Sequence, residues 1–111
     1  MRAGQLRQRV TFQGQAVGRD SFGSEVVNWT DLTTVWAAVE PLSGSERYLQ
    51  IGDQFFGEGT ILIRVRYSST LAALTPKHRG VMGERIFDIQ HIMEIETRRR
   101  EIHVLCKEEG L

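Results

Sequence analysis

A single cysteine, Cys106, occurs in the 111 residues, so no intrachain disulfide can form and a thiolate metal site lacks partners. An excess of charge is missing too: fourteen Lys and Arg balance fourteen Asp and Glu, for a formal net charge of zero. Dedicated nucleic-acid binders rest on a surplus of Lys and Arg. The balance argues against that class without excluding DNA that passes nearby. No apolar run approaches the roughly 20 residues of a membrane span, so no membrane partner is expected. The opening MRAGQLRQRV has no apolar stretch and does not read as a signal peptide, which places synthesis and retention in the cytoplasm. Internal repeats and low-complexity segments are absent as well.

Catalytic patterns are equally scarce. His78, His91 and His103 each stand alone, without the close second ligand of a metal-binding helix or finger. They read as solvated or locally hydrogen-bonded side chains. Cys106 falls on the apolar side of a strand pattern, where a free cysteine behaves as a small core residue. There is no nucleophile elbow, and Gly52, Gly57 and Gly59 lack the spacing and following helix of a phosphate loop. Carboxylates are plentiful but form no evident buried pair. The reading is a protein that is not an enzyme and needs no cofactor or metal.

What is present is alternation of period two, the mark of strands with one buried face. RVTFQG sets Val10 and Phe12 against Arg9, Thr11 and Gln13. TVWAAVE sets Val35, Ala37 and Val39 against Trp36, Ala38 and Glu40. TILIRVRY aligns Ile61, Ile63, Val65 and Tyr67 against Arg64 and Arg66, and EIHVLCK aligns Ile102, Val104 and Cys106, with Leu105 breaking its polar side. RIFDIQHIMEI is richer and less regular, as a strand buried on both sides or carrying a bulge would be. VGRDSFGSE around Phe22 reads as a long hairpin tip, and VMGER as a short hairpin through Gly83. The fold class is therefore all-β: a small barrel or sandwich of five to seven short antiparallel strands, in one domain over residues 1–111. Closing a barrel is the simplest way to hide the edges of so short a chain. Trp29 and Trp36 flank TDLTTV and are expected near one strand corner, packed on the barrel end, with a contact to a neighbouring chain as the alternative.

Residues 43–59, after the second long strand, hold Tyr48, Leu49, Ile51, Phe55 and Phe56 among four glycines. The segment reads as a mobile or partly helical insertion within the domain: a short helix capped by Ser45 and stopped by Gly52, a hairpin, or no fixed structure. Arg47, Tyr48, Leu49, Ile51, Phe55 and Phe56 are its candidate subunit or partner contacts, because interfaces favour aromatic and arginine side chains. A second short helical turn is expected through LAAL, capped by Ser69 or Thr70 and ended before Pro76. Arg98, Arg99 and Arg100 form the only basic run. They read as a solvated turn or as a contact with a phosphate backbone or acidic partner surface.

In order and spacing, the opening MRAGQLRQRV, RDSFG followed by Trp29, VWAAVEPLSGSE, TPKHRG with GERIFDI, and RRREIHVLCKE resemble the phage head–tail joining proteins. These are the head closure or head–tail adaptor proteins of tailed phages and prophages. The resemblance spans nearly the whole chain. It implies a small β-barrel subunit that assembles as a homo-oligomeric ring, made in the bacterial host cytoplasm and built into the virion. Such a ring sits below the portal, extends the DNA channel, helps retain packaged DNA and docks the tail. The implied partners are a portal or adaptor protein on the head side, a tail protein on the tail side, and double-stranded DNA passing without sequence preference. In such proteins the segment beginning near Pro41 contributes to ring contacts or the channel. GDQFFGEG is more glycine-rich than the helix the resemblance implies there, and SSTLAAL before Thr75 is longer than the usual turn. The rival readings are a tail terminator or completion component, and an OB-type nucleic-acid-binding barrel. The latter would need exposed rings on which bases stack, with Phe12, Tyr67 and Phe87 as the candidates.

Overall fold

The computed structural model describes residues 7–19, 21–41, 49–51, 54–56, 59–95 and 100–110; at 17, 19, 49–51 and 54–56 it describes the backbone alone. The strands in chain order are β1 (Gln8–Arg19), β2 (Glu25–Pro41), β3 (Leu49–Ile51), β4 (Gln54–Phe56) and β5 (Thr60–Arg66). A one-turn helix, α1 (Ser69–Ala72), leads to β6 (Arg79–Met82), β7 (Arg85–Ile95) and β8 (Glu101–Glu108). Six of these strands close an antiparallel barrel in the order β1-β2-β5-β8-β7-β6, sealed where Thr11 to Gln13 of β1 meet Val81 to Arg79 of β6. Closure leaves none of the six with a fully unpaired edge, the solution expected for so few strands.

The period-two pattern turns directly into the core. Val10 and Phe12, Ala37, Ile61, Ile63 and Val65, Phe87 and Ile89, and Ile102, Val104 and Cys106 fill the interior. Their alternating neighbours point outward. Gln90 sits at a register shift in β7, between the pairs Ile89–Cys106 and His91–Leu105, so the irregular strand is the bulged one. A second shift makes Leu32 the extra residue of β2, since Phe12 faces Thr33 while Gln13 faces Asp31. Leu105 departs from the pattern: it lies on the outward side, beside Leu62, yet both are buried.

The turns follow from local chemistry. Gly23 (φ +83°) turns β1 into β2, and the Gly83–Glu84 turn joins β6 to β7 with only Gly83 (φ +60°) left-handed. A two-residue loop with positive φ at its first position alone is a type II′ turn, whose twist matches the flanking strands. The helical turn is capped one residue earlier than the sequence indicates: Ser68 Oγ accepts the Leu71 N–H at 3.2 Å. Four residues cannot hold a helix unaided. Leu71 and Leu74, both buried, drop from it into the barrel core and hold it there.

Of the states left open for residues 43–59, the described part takes the hairpin: Leu49–Ile51 is a strand that pairs antiparallel with Gln54–Phe56, Leu49 facing Phe56. A stretch so short, followed by Gly52, has too few turns to repay helix nucleation, whereas a hairpin satisfies its backbone at once. Arg47 and Tyr48 lie outside the described residues. Trp29 and Trp36 do not share a corner. Both belong to the single strand β2, seven residues apart, which is about 23 Å at the rise of an extended chain.

One end of the barrel is closed by charge. Arg85 Nε donates to Glu108 Oε2 and an Arg85 terminal N–H to Glu108 Oε1, both at 2.8 Å, over Phe87, whose ring centroid is 4.9 Å from the guanidinium carbon. The hydrogen bond from Arg85 holds the Glu108 carboxyl below the usual carboxylate range. A depressed folded value means stability that is present above the unfolded value and lost as the pH falls through the folded one. The stability difference between wild type and Glu108→Gln should therefore be largest near neutral pH and vanish in acid, as measured by urea titration. A difference that grew on acidification would reverse the sign and refute this.

Candidate functional site

The strand registers assemble a surface that no single stretch of sequence displays. Arg9 pairs with Trp36 across β1 and β2, and the Ala37–Val65 pair sets Trp36 beside Arg66 on the next rung. The three side chains form an outward row, Arg–Trp–Arg, on three adjacent strands. The Arg9 guanidinium lies 5.0 Å from the Trp36 ring centroid, and Trp36 remains 52% exposed. Beside the row opens a groove of about 560 Å³, lined among the described residues by Arg9, Val35, Trp36, Arg66, Tyr67, Ser68 and Leu71. Its floor is apolar and its rim carries the two guanidinium groups. Such a mixture of Trp, Tyr and Arg is what dominates binding energy at protein interfaces.

Arg100 stands at the same end. Its guanidinium carbon is 3.7 Å from the Tyr67 ring centroid, its side chain pairs with Glu94, and its carbonyl accepts the Tyr67 N–H at 3.2 Å. Of the basic run, Arg98 and Arg99 lie outside the described residues. The backbone of Leu49, Ile51, Phe55 and Phe56 places them on the β3–β4 hairpin between β2 and β5. Residues of the insertion and of the arginine run are thus not joined into one site by the described structure.

The second feature is a ribbon. β6 braces β1 only at Thr11 to Gln13, and β5 braces β2 only from Ala37 to Pro41. From Gly14 and Thr30 outward, the two strands pair only with each other, as far as Arg19 and Glu25. The molecule is correspondingly long, 50 × 28 × 26 Å. Its root is tied down: Arg79 lies 4.1 Å from the Trp29 ring centroid and donates Nε–H to Gln13 Oε1, while Gln13 Nε2 donates to Asp31 Oδ1, both at 2.8 Å. The large exposed hydrophobic side chains among the described residues are Phe22, Val27, Leu32 and Trp36, and all four belong to this β1–β2 hairpin. An isolated two-stranded hairpin is marginal in water. Phe22 and Val27 stand on the projecting part, Leu32 at its root and Trp36 on the barrel wall. Exposed apolar groups gathered along one hairpin mark an interaction surface.

Among the described residues, the candidates for reactive chemistry sit in unreactive settings. Burial, with a smaller contribution from Asp88, pushes the Cys106 thiol up, so it stays protonated, and a protonated thiol is a poor nucleophile. His78 Nδ1 accepts the Thr75 N–H at 2.9 Å and staples its own turn. Among the described residues, no three His, Cys, Asp or Glu side chains gather into a metal site, and no helix is long and apolar enough to cross a membrane. Phe12 and Phe87 are fully buried, which withholds two of the three rings an OB-type binder would need.

The sequence offers a contact with a neighbouring chain for Trp36 only as the alternative to packing on the barrel end, and it places Phe22 in a hairpin tip without a contact. The available signal was the side of the alternation: Trp36 falls between inward Val35 and Ala37, and an aromatic on the outward side of a strand faces solvent or a partner. A closed antiparallel barrel with a projecting ribbon and an arginine-rimmed groove defines the class by its architecture: a small all-β module. The chain belongs to the phage head completion protein family, which it matches over residues 1–109. It is a structural protein of the virion, one that works alongside other head and tail proteins.

Solved structures agree on the architecture. A Shigella flexneri 2a protein determined in solution is similar at 26% identity with a TM-score of 0.71, covering 99% of this chain and 98% of that one. A chain from the virion of a native gene transfer agent particle matches in fold, at 24% identity and a TM-score of 0.62, covering 96% of this chain and 97% of that one. No curated protein matches the sequence.

Proposed function

We propose that the chain forms a homo-oligomeric ring at the head–tail interface, below the portal, where it extends the DNA channel, helps retain packaged DNA and docks the tail. The observation that supports this reading is that the large exposed apolar side chains among the described residues all lie along the β1–β2 hairpin, Phe22 and Val27 on its projecting part and Trp36 on the barrel wall. A ring subunit offers two different surfaces to its two neighbours, a heterologous contact that closes by rotation. Balanced formal charge suits a channel wall, since each added phosphate contact would strengthen and salt-sensitise DNA binding. Arg47, Tyr48, Leu49, Ile51, Phe55 and Phe56 are proposed as further ring contacts, and Arg98 to Arg100 as contacts to DNA or an acidic partner. No catalytic role and no cofactor belong to this reading.

Electron microscopy of the purified protein, alone and with tails, tests it. The expected particles are rings with a central opening that bind at one end of the tail. In the assembled state, hydrogen exchange at Leu49–Ile51 and Gln54–Phe56 should slow relative to the free chain. Particles that stay monomeric in both preparations would refute the ring.

A further inference from the structure

We propose that the tip of the β1–β2 ribbon of one copy inserts Phe22 into the Arg9–Trp36–Arg66 groove of a second copy. This rests on the ring reading above and names the contact that would build it. Phe22 is 91% exposed at the turn, the most exposed of the large hydrophobic side chains described. The groove offers a ring-sized apolar floor of Val35, Tyr67 and Leu71 beside half-exposed Trp36.

The charges match. The sequence from Arg19 to Glu25 carries one net negative charge, with Asp20 and Glu25 on either side of Phe22. The groove rim presents the guanidinium groups of Arg9 and Arg66. Burying an aromatic ring supplies the affinity, and the charges at the rim select the orientation.

Geometry excludes the same contact within one chain. Arg9 and Arg19 stand ten residues apart on the continuous strand β1, about 33 Å at the rise of an extended chain. The donor tip and the acceptor groove thus occupy opposite ends of one hairpin. A continuous hairpin with a plug at one end and a socket at the other cannot bring the two together within one chain, so the contact requires a neighbour. Repetition of that contact is head-to-tail, the type that generates a ring when the rotation closes.

The test uses the full chain. Phe22→Ser should leave the melting temperature unchanged, because the side chain is exposed, and weaken self-association at least tenfold by sedimentation velocity. Glu25→Lys should weaken it less, and Arg66→Glu in the partner copy should restore the loss in mixed samples. Copies carrying Phe22→Cys, mixed with copies carrying Arg66→Cys, should join through a short bis-maleimide only when both are present; buried Cys106 does not compete. Self-association of Phe22→Ser at wild-type strength overturns the contact and leaves the ring standing. Loss of tail binding in Phe22→Ser with self-association intact assigns the tip to a tail protein and also overturns it. A wild-type chain that never self-associates, with or without tails, overturns both readings.

Discussion

Phe12→Ala should destabilise the protein by about 3–5 kcal/mol, the range for truncating a fully buried aromatic that leaves a cavity behind. Total stability of a small domain is only about 5–15 kcal/mol, so this one change consumes much of it. The melting temperature should fall by more than about 10 °C. Three facts make Phe12 the severe case. Its side chain is fully buried, it sits on the strand that seals the barrel against β6, and the register shift of β2 begins at its own pair with Thr33. Neighbours cannot easily collapse into the space, because the backbone on both sides is fixed by ladders. Thermal and urea unfolding would measure the change. A loss below about 1 kcal/mol would mean that the interior repacks freely, and would contradict a rigid, closed barrel.

The core was legible in the sequence because its signal is local. Val10 and Phe12, Ile61 to Val65, and Ile102 to Cys106 each declare their buried side by alternation, and the structure buries them together. The Gly83 turn was legible for the same reason, a glycine with the right flanks. The irregular alternation of RIFDIQHIMEI, by contrast, left a strand buried on both sides and a bulged strand equally open, and only the register at Gln90 decides for the bulge. The candidate site was not legible. The Arg9–Trp36–Arg66 row depends on the registers of three strands, and two of its members are 57 residues apart in the sequence. The groove further requires the Ser68-capped turn to carry Leu71 into the barrel. The ribbon was hidden in a different way. VVNWTDL alternates much as a barrel strand does, and only the lengths of β5 and β6 decide that it runs past its neighbours into solvent. Pairing partners chosen at long range are invisible to periodicity. The hairpin of β3 and β4 was one of three states left open for a related reason: a cap and a stop delimit a segment without deciding between one helical turn and the ladder of a hairpin.

Gly80→Leu should be the second severe change, costing about 3 kcal/mol, at the upper end of what overpacking a core usually does. Gly80 faces inward on β6, opposite Phe12 across the β1–β6 seam and opposite Phe87 on β7. A single added Cβ there would lie 3.3 Å from Val10 Cγ1, 3.5 Å from the Phe12 ring and 3.6 Å from Ile63 Cδ1. Gly80→Ala is therefore a near balance. The tight contact with Val10 works against a gain of about 0.4–1 kcal/mol from a less flexible unfolded chain, so its net effect should stay within about 1 kcal/mol. Leu has no such balance, because three further carbons must enter space already held by Val10, Phe12 and Ile63. The seam would have to part, and β6 would carry Arg79 away from Gln13 and Trp29, loosening the root of the ribbon. Assembly should then fail along with stability. Coupling gives the sharper measurement: Phe12→Leu vacates part of the same space, so adding Gly80→Ala to it should cost less than adding Gly80→Ala to wild type. A double-mutant cycle reads that difference directly. Strict additivity would show that the two residues do not share one cavity, and that the barrel is not sealed where the register places its seam.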